Sequence, residues 1–198
     1  MEQQQNFEPL VESFYQVPTL ELAKNLLGCI LVKQTEEGTT SGIIVETEAY
    51  LGNSDRAAHG YGNRRTKRTE ILYAKPGHAY VHLIHNHRLI NVVSSMEGDP
   101  ESVLIRAVEP FSGIDEMLMR RPVKKFQNLT SGPGKLTQAM GIHMEDYGRY
   151  MLEPPLFISE GKSPISVKSG SRIGIDNTGE AKDYPYRFWV DGNPFVSK

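Results

Sequence analysis

Residues 42–50, Gly-Ile-Ile-Val-Glu-Thr-Glu-Ala-Tyr, constrain this chain more than any other stretch. Their β-branched, apolar start commits the segment to a sheet. Strand side chains alternate between faces, so Ile43, Val45, Thr47 and Ala49 are expected on one side and Ile44, Glu46, Glu48 and Tyr50 on the other. Two carboxylates and an aromatic ring on one face suit either a solvated edge strand or a reaction site. A second stretch bears on that choice. Residues 103–110, Val-Leu-Ile-Arg-Ala-Val-Glu-Pro, read as an apolar strand buried on both faces, with Leu104 and Val108 on the face of Arg106. A guanidinium stays charged and is costly to bury alone. Arg106 therefore calls for a carboxylate, and Glu48 or Glu46 is the candidate. Two readings stand side by side: an ion pair that orders the core, or a catalytic carboxylate held and tuned by an arginine.

The 198 residues suit one domain or at most two. No apolar run approaches the length of a membrane span, and the start, Met-Glu-Gln-Gln-Gln-Asn, lacks the pattern of a signal peptide. Cys29 is the only cysteine, which excludes an internal disulfide framework and a Cys-based zinc site. Its neighbours Leu26, Leu27, Ile30 and Leu31 suggest a buried thiol acting as a small hydrophobe. Together these features point to a cytoplasmic protein. A formal charge of -2 and a pI near 6.3 argue against a generic, charge-driven nucleic-acid binder. The cations are nonetheless clustered. Arg56, Arg64, Arg65, Lys67 and Arg68 form one group, and Arg120, Arg121, Lys124 and Lys125 another. Each is either a solvated face or a local phosphate-binding patch.

Residues 14–28 read as one helix closing at Gly28, and 30–35 as a strand turning at Glu37-Gly38 toward the Glu48 strand. Residues 51–78 form a long polar region of the kind that carries function in compact domains. Further strands are expected at 79–84 and 88–95, a helix within 111–121, and closing strands at 171–176 and 185–191, with Phe188 and Trp189 in the core. Ser131-Gly-Pro-Gly-Lys-Leu136 is a glycine turn feeding a short helix. It lacks the spacing of a nucleotide-hydrolase phosphate loop, because Asn128 stands at the first glycine position and Leu136 follows Lys135. It is either a plain helix start or a cradle for one backbone phosphate.

His78, His82, His85 and His87 invite a metal hypothesis, but a straight strand turns the first two away from the last two, and no zinc-ligand spacing is present. No metal is expected; aromatic rings lining a groove fit the pattern better.

In order and spacing, six segments resemble the alkyladenine (3-methyladenine) DNA glycosylases over nearly the whole chain. They are Val45–Gly52, Asp55-Arg-Ala-Ala-His59, Lys75-Pro-Gly77, Leu104–Pro110, Ser131–Leu136 and Arg187-Phe-Trp-Val190. The resemblance implies a mixed α/β domain, residues 1–198 with 1–8 a flexible start, built on a curved, mainly antiparallel, partly barrel-like sheet flanked by short helices. It implies a monomer that uses no cofactor or metal and acts on double-stranded DNA. Damaged purines (3-methyladenine, 7-methylguanine, hypoxanthine, ethenoadenine) would be flipped out and their glycosidic bonds hydrolysed, leaving an abasic site. Enzymes that act on a base take it out of the stack, and glycosidic cleavage passes through an oxocarbenium-like state that a carboxylate can stabilise. By resemblance, Glu48 is the base that activates water and Arg106 helps hold that water. Tyr50, His59 and His82 line the base pocket, and Asn91 crowds the amino group of normal guanine. Arg64, Arg65, Lys67, Arg68 and Lys135 contact phosphates. No lysine matches a Schiff-base nucleophile, so no strand-cutting lyase activity is expected.

Two positions depart from the family's best-known pattern. His82 stands where a pocket tyrosine is expected, and His85 where a tyrosine wedge fills the duplex gap. A protonated His82 would repel a cationic lesion and favour neutral ones such as hypoxanthine. Two other readings of the same residues are open: a hydrolase of free nucleosides or glycosides, and a non-catalytic protein that flips and holds lesions.

Overall fold

A computed structural model describes residues 6–198. The chain starts with two short helices, α1 (Glu12–Tyr15) and α2 (Thr19–Asn25), rather than the single expected helix over 14–28. Pro18 separates them, because proline keeps the residue before it out of the helical region. Residues 1–5 of the expected flexible start lie outside the described residues. Phe7, from the same start, packs against Ile30, Val32 and Phe157 and meets Phe111 edge-on at 6.2 Å.

Among the described residues the eight strands are β1 (Ile30–Thr35), β2 (Gly38–Tyr50), β3 (Ala79–Ile84), β4 (His87–Ser94), β5 (Glu101–Ser112), β6 (Leu156–Ser159), β7 (Val167–Gly170) and β8 (Arg187–Val190). They form one antiparallel sheet in the order β3-β4-β5-β2-β1-β6, with β8 joining β2 and β7 joining β8. The sheet curls into a half-barrel of mixed α/β architecture, as the resemblance implied. Helices α3 (Ile114–Arg120) and α4 (Pro133–Met140) follow β5. Leu22, Ala23 and Leu26 of α2 and Leu136, Ala139 and Met140 of α4 pack on Ile44, Ala49, Val103, Ile105 and Val108 as one core.

Strict alternation along β2 and β5 does not hold. Thr47 pairs with Ile105, Glu46 with Ala107 and Ile44 with Val108, so Arg106 is an extra residue on β5 and Val45 an extra residue on β2. A bulge places neighbouring residues on one face and raises local twist. Two facing bulges cancel in register but reverse parity between their flanks. Ile44 and Val108, expected beside Glu46 and Arg106, lie instead in the helix-side core with Ala49. Val45 and Ala107 pack on Phe195 on the opposite side. On its free edge β2 forks at the same point: β1 pairs with it as far as Ile43, and β8 takes over from Glu46 to Glu48. Gly42 permits the close approach of β5, since a Cβ there would meet Val108 Cγ2 at 2.6 Å.

The hairpin β3–β4 closes through His85 and Asn86 with φ of 46° and 68°, the left-handed pair of a two-residue turn. Two expectations about the last third fail. The closing strand lies at Val167–Gly170, and 171–176 is irregular. Phe188 is buried in the core, whereas Trp189 is half-exposed beneath the Arg187 guanidinium, 4.7 Å from its ring. Cys29 is buried as expected, and burial raises its thiol pKa to about 11. Among the described residues no helix is long and apolar enough to cross a membrane.

Candidate active site

The double bulge brings both carboxylates to one guanidinium. Arg106 donates through Nε to Glu46 Oε1 at 3.0 Å, and its Nη1 lies 3.2 Å from Glu48 Oε1. Burial alone would lower the Arg106 pKa, but Glu48 and then Glu46 outweigh it, so the pKa ends above its ordinary value. The expected pairing is present, and it is double.

The two carboxylates differ in what else holds them. Glu46 also accepts from Arg187 Nε at 2.6 Å, from Ser197 Oγ at 2.8 Å and from the Ser197 amide at 2.7 Å. Glu48 accepts the Ile173 amide at 2.8 Å on Oε1 and the Tyr50 hydroxyl at 2.8 Å on Oε2. A carboxylate oxygen accepts two bonds, so Oε2 keeps capacity for one further donor. Burial and then the Glu48 charge push the Tyr50 phenol well above its usual pKa, which keeps it a donor.

A cavity of about 350 Å³ opens beside this cluster, lined by Tyr50, His59, Tyr80, His82, Asn91 and Arg106 among others. Glu48 itself has no exposed surface and does not line the cavity; its partners Tyr50, Arg106 and Ile173 do. All four base-pocket residues expected from sequence therefore converge on one recess. Tyr80 was not expected there. It lies two residues before His82 on β3, hence on the same face, and stacks on the imidazole at 4.6 Å and 18°. Its hydroxyl is 2.8 Å from His59 Nδ1. His59 meets His82 edge-on at 4.9 Å, and Asn91 donates to Ser102 Oγ at 2.9 Å.

Another wall is Ile173–Thr178, which overlaps the closing strand expected at 171–176. Arg172 pins it. That guanidinium is buried against Asp55, with Nη2 to Oδ1 at 2.8 Å, donates to the Ala49 carbonyl at 2.8 Å, and lies 4.7 Å from the Tyr50 ring centroid. Arg172 lies within the segment expected as a strand at 171–176, and nothing in the sequence singled it out for the site. Asp55, inside a motif the resemblance rests on, was the nearest pointer.

Burial, then the charge of His59, lowers the His82 pKa to about 3. Burial, then Arg68 and Arg64, lowers that of His59 to about 4. Both rings are neutral at physiological pH, so the expected repulsion of cationic lesions by a protonated His82 has no basis.

Arg64 and Arg68 line a second recess of about 310 Å³ that shares His59 with the first. Arg65 is otherwise engaged, with Nη2 at 2.6 Å from Glu70 Oε1 and its guanidinium 4.6 Å from the Tyr73 ring. Lys67 is exposed. Lys135 lies apart, in a recess of about 730 Å³ with Lys125, Ser131 and Trp189. His85 is exposed at the hairpin tip, with Ile84 on the cavity rim. A larger groove of about 800 Å³ on another face, lined by Glu12, Lys75 and Glu101, contains none of the expected site residues. Among the described residues no three His, Cys, Asp or Glu side chains converge as a metal site.

An aromatic recess backed by an arginine-held carboxylate, with further arginines beside it, has the size and chemistry to take a flat, aromatic ring. The sequence pattern of the methylpurine-DNA glycosylases matches residues 13–194. Provisionally named 3-methyladenine DNA glycosylases are similar along their lengths. The one from Oceanobacillus iheyensis is 92% identical over 198 residues, covering 100% of both chains. The one from Bacillus subtilis is 57% identical over 190 residues, 96% of this chain and 97% of its own, and one from Listeria monocytogenes 46% over 187 residues, 94% and 90%. This chain belongs to the methylpurine-DNA glycosylase family and is a DNA glycosylase.

Proposed function

We propose that this enzyme removes alkylated and deaminated purines, including 3-methyladenine, 7-methylguanine, hypoxanthine and ethenoadenine, from double-stranded DNA as a monofunctional hydrolase. One observation carries the reading: Glu48 is held by Arg106, Tyr50 and the Ile173 amide directly behind a base-sized aromatic cavity. The extruded purine stacks among Tyr50, His59 and His82, and neutral imidazoles accept neutral and cationic lesions alike. A water occupies the free acceptor capacity of Glu48 Oε2. Its oxygen bonds to C1′ of the sugar, the C1′–N bond breaks with its electron pair leaving on the base, and the water proton passes to Glu48. The carboxylate also offsets the positive charge that develops on the sugar. A base stacked on Tyr50, whose hydroxyl bonds Glu48 Oε2, covers the side of the cavity nearest the nucleophile.

Asn91, fixed by Ser102, obstructs the amino group of undamaged guanine. The two-residue His85-Asn86 turn carries His85 into the gap left in the duplex. Arg64, Lys67, Arg68 and Lys135 contact phosphates, with Arg65 contributing once it leaves Glu70. The reaction needs no metal or cofactor, and the enzyme acts as a cytoplasmic monomer on chromosomal DNA.

The test is single-turnover excision from a hypoxanthine-containing duplex by the native enzyme and by Glu48→Gln. The variant is expected to bind the lesion tightly and to cleave about 10³-fold more slowly, within the span general-base catalysis supplies. Cleavage within a few-fold of the native rate removes Glu48 from this role. Hydrolysis of free inosine as fast as of the duplex would favour a nucleoside hydrolase.

A further inference from the structure

The reaction assigned to Glu48 does not by itself account for Glu46, equally buried and two residues away. Arg106 must serve both carboxylates, and every nitrogen of its guanidinium is committed. Nε goes to Glu46, Nη1 faces Glu48, and Nη2 donates to Ser197 Oγ at 3.2 Å. That hydroxyl in turn donates to Glu46 Oε1 at 2.8 Å, and the Ser197 amide reaches Glu46 Oε2 at 2.7 Å. Arg187 adds the second cation at Glu46 and holds the Ser197 carbonyl at 3.0 Å. Two carboxylates and two guanidiniums close into a balanced cluster. Without Ser197 and Arg187, Glu46 is under-coordinated and competes with Glu48 for the one guanidinium that lines the cavity.

We propose that Ser197 is a positioning residue for the glycosylase reaction: it fixes Arg106 from behind and saturates Glu46, leaving Nη1 of Arg106 aimed at Glu48. The inference rests on the role proposed for Glu48. Ser197 lines the recess that holds Lys135 and is absent from the cavity that holds Tyr50 and Arg106. It acts through Arg106 and touches no part of the base.

The test uses the full chain with Ser197→Ala, Ser197→Thr and Ser197→Cys. Single-turnover excision, affinity for the lesion duplex and melting temperature are measured for each. Loss of the hydroxyl is expected to slow excision about 10- to 100-fold, the scale on which small misplacements cost rate. Duplex affinity should stay within about twofold, because phosphate contacts and stacking are untouched. Ser197→Thr, which restores an oxygen donor and acceptor, should recover to within about threefold of the native rate. If Ser197→Ala fails to fold, Ser197→Cys carries the test: its weak thiol donor should give an intermediate rate at native affinity. A rate unchanged in Ser197→Ala, or rate and affinity lost together without rescue by Thr, overturns the proposal. Failure of the native enzyme to excise any lesion would instead defeat the proposed function.

Discussion

Among the described residues, two buried charge clusters include side chains of the central strands β1, β2 and β5, and of these two, one stands beside a cavity. At the β2–β5 bulges, Glu46, Glu48, Arg106 and Arg187 meet behind the aromatic recess. On β1, Lys33 pairs with Asp146 at 2.6 Å, and Arg149 and the His143 amide occupy the same carboxylate at 3.0 Å each. Lys33 and Asp146 are as enclosed as Arg106 and Glu48, yet they line none of the recesses described. On the proposed reading, one molecule holds both a pairing that orders a core and a pairing that prepares a reaction. Burial and ion pairing do not tell them apart. The difference lies in the neighbours: Glu48 has Tyr50 and an open acceptor site beside a base-sized space, and Asp146 has only structural donors.

Isosteric substitutions in each cluster would break or sharpen that contrast. Glu48→Gln is expected to give the largest effect on chemistry, the 10³-fold loss of cleavage at retained lesion binding described above. Its mirror, Asp146→Asn, leaves Lys33 buried without its carboxylate and should cost about 3 kcal/mol of stability in urea melts. Excision per folded molecule should be unchanged; a matching loss of rate would erase the distinction between the clusters.

The cavity histidines supply a smaller, pH-dependent test. Their folded pKa values lie below the unfolded 6.5, at about 4 for His59 and about 3 for His82. The unfolded chain therefore takes up protons that the folded one refuses. Their contribution to stability is complete above pH 6.5 and is lost as pH falls below it, by about 1.4 kcal/mol per pH unit for each ring. His82→Phe should flatten that fall in melts between about pH 6.5 and 4.5. The ratio of hypoxanthine to 7-methylguanine excision should be flat from about pH 5.5 to 8, because neither ring titrates there. A ratio that changes across that range would restore the charged His82.

The smallest effect is expected far from either cluster. Lys135→Ala should weaken lesion-free and lesion duplexes alike by a few-fold, and lower the slope of log affinity against log salt by about 0.9. A loss confined to lesion DNA would move Lys135 from phosphate contact to base recognition.

Much of the site was legible because it lies on strands with strong local signals. β3 has the bounds expected, and β2 and β5 carry Glu48, Tyr50 and Arg106 as read. Tyr50, His59, His82 and Asn91 meet in one cavity although 41 positions separate the first from the last. What local pattern could not supply was set by distant parts of the chain. The parity break at Val45 and Arg106 exists only because two strands bulge opposite one another. The wall at Ile173–Thr178 is held by Arg172 against Asp55, 117 residues earlier. Trp189 carries a core-like side chain at a position where β8 leaves it half-covered. The split of the first helix is the exception, since Pro18 stands in the sequence and by itself keeps the residue before it out of a helix.

The paired bulges also restrict how this gene can change length. Removing Val45 or Arg106 would delete one bulge and leave the other uncompensated, which changes the local twist on which the approach of Glu48 and Arg106 depends. A length change at either bulge therefore falls on the geometry of the site itself, whereas the unmatched bulge at Phe111, away from the site, leaves that geometry alone.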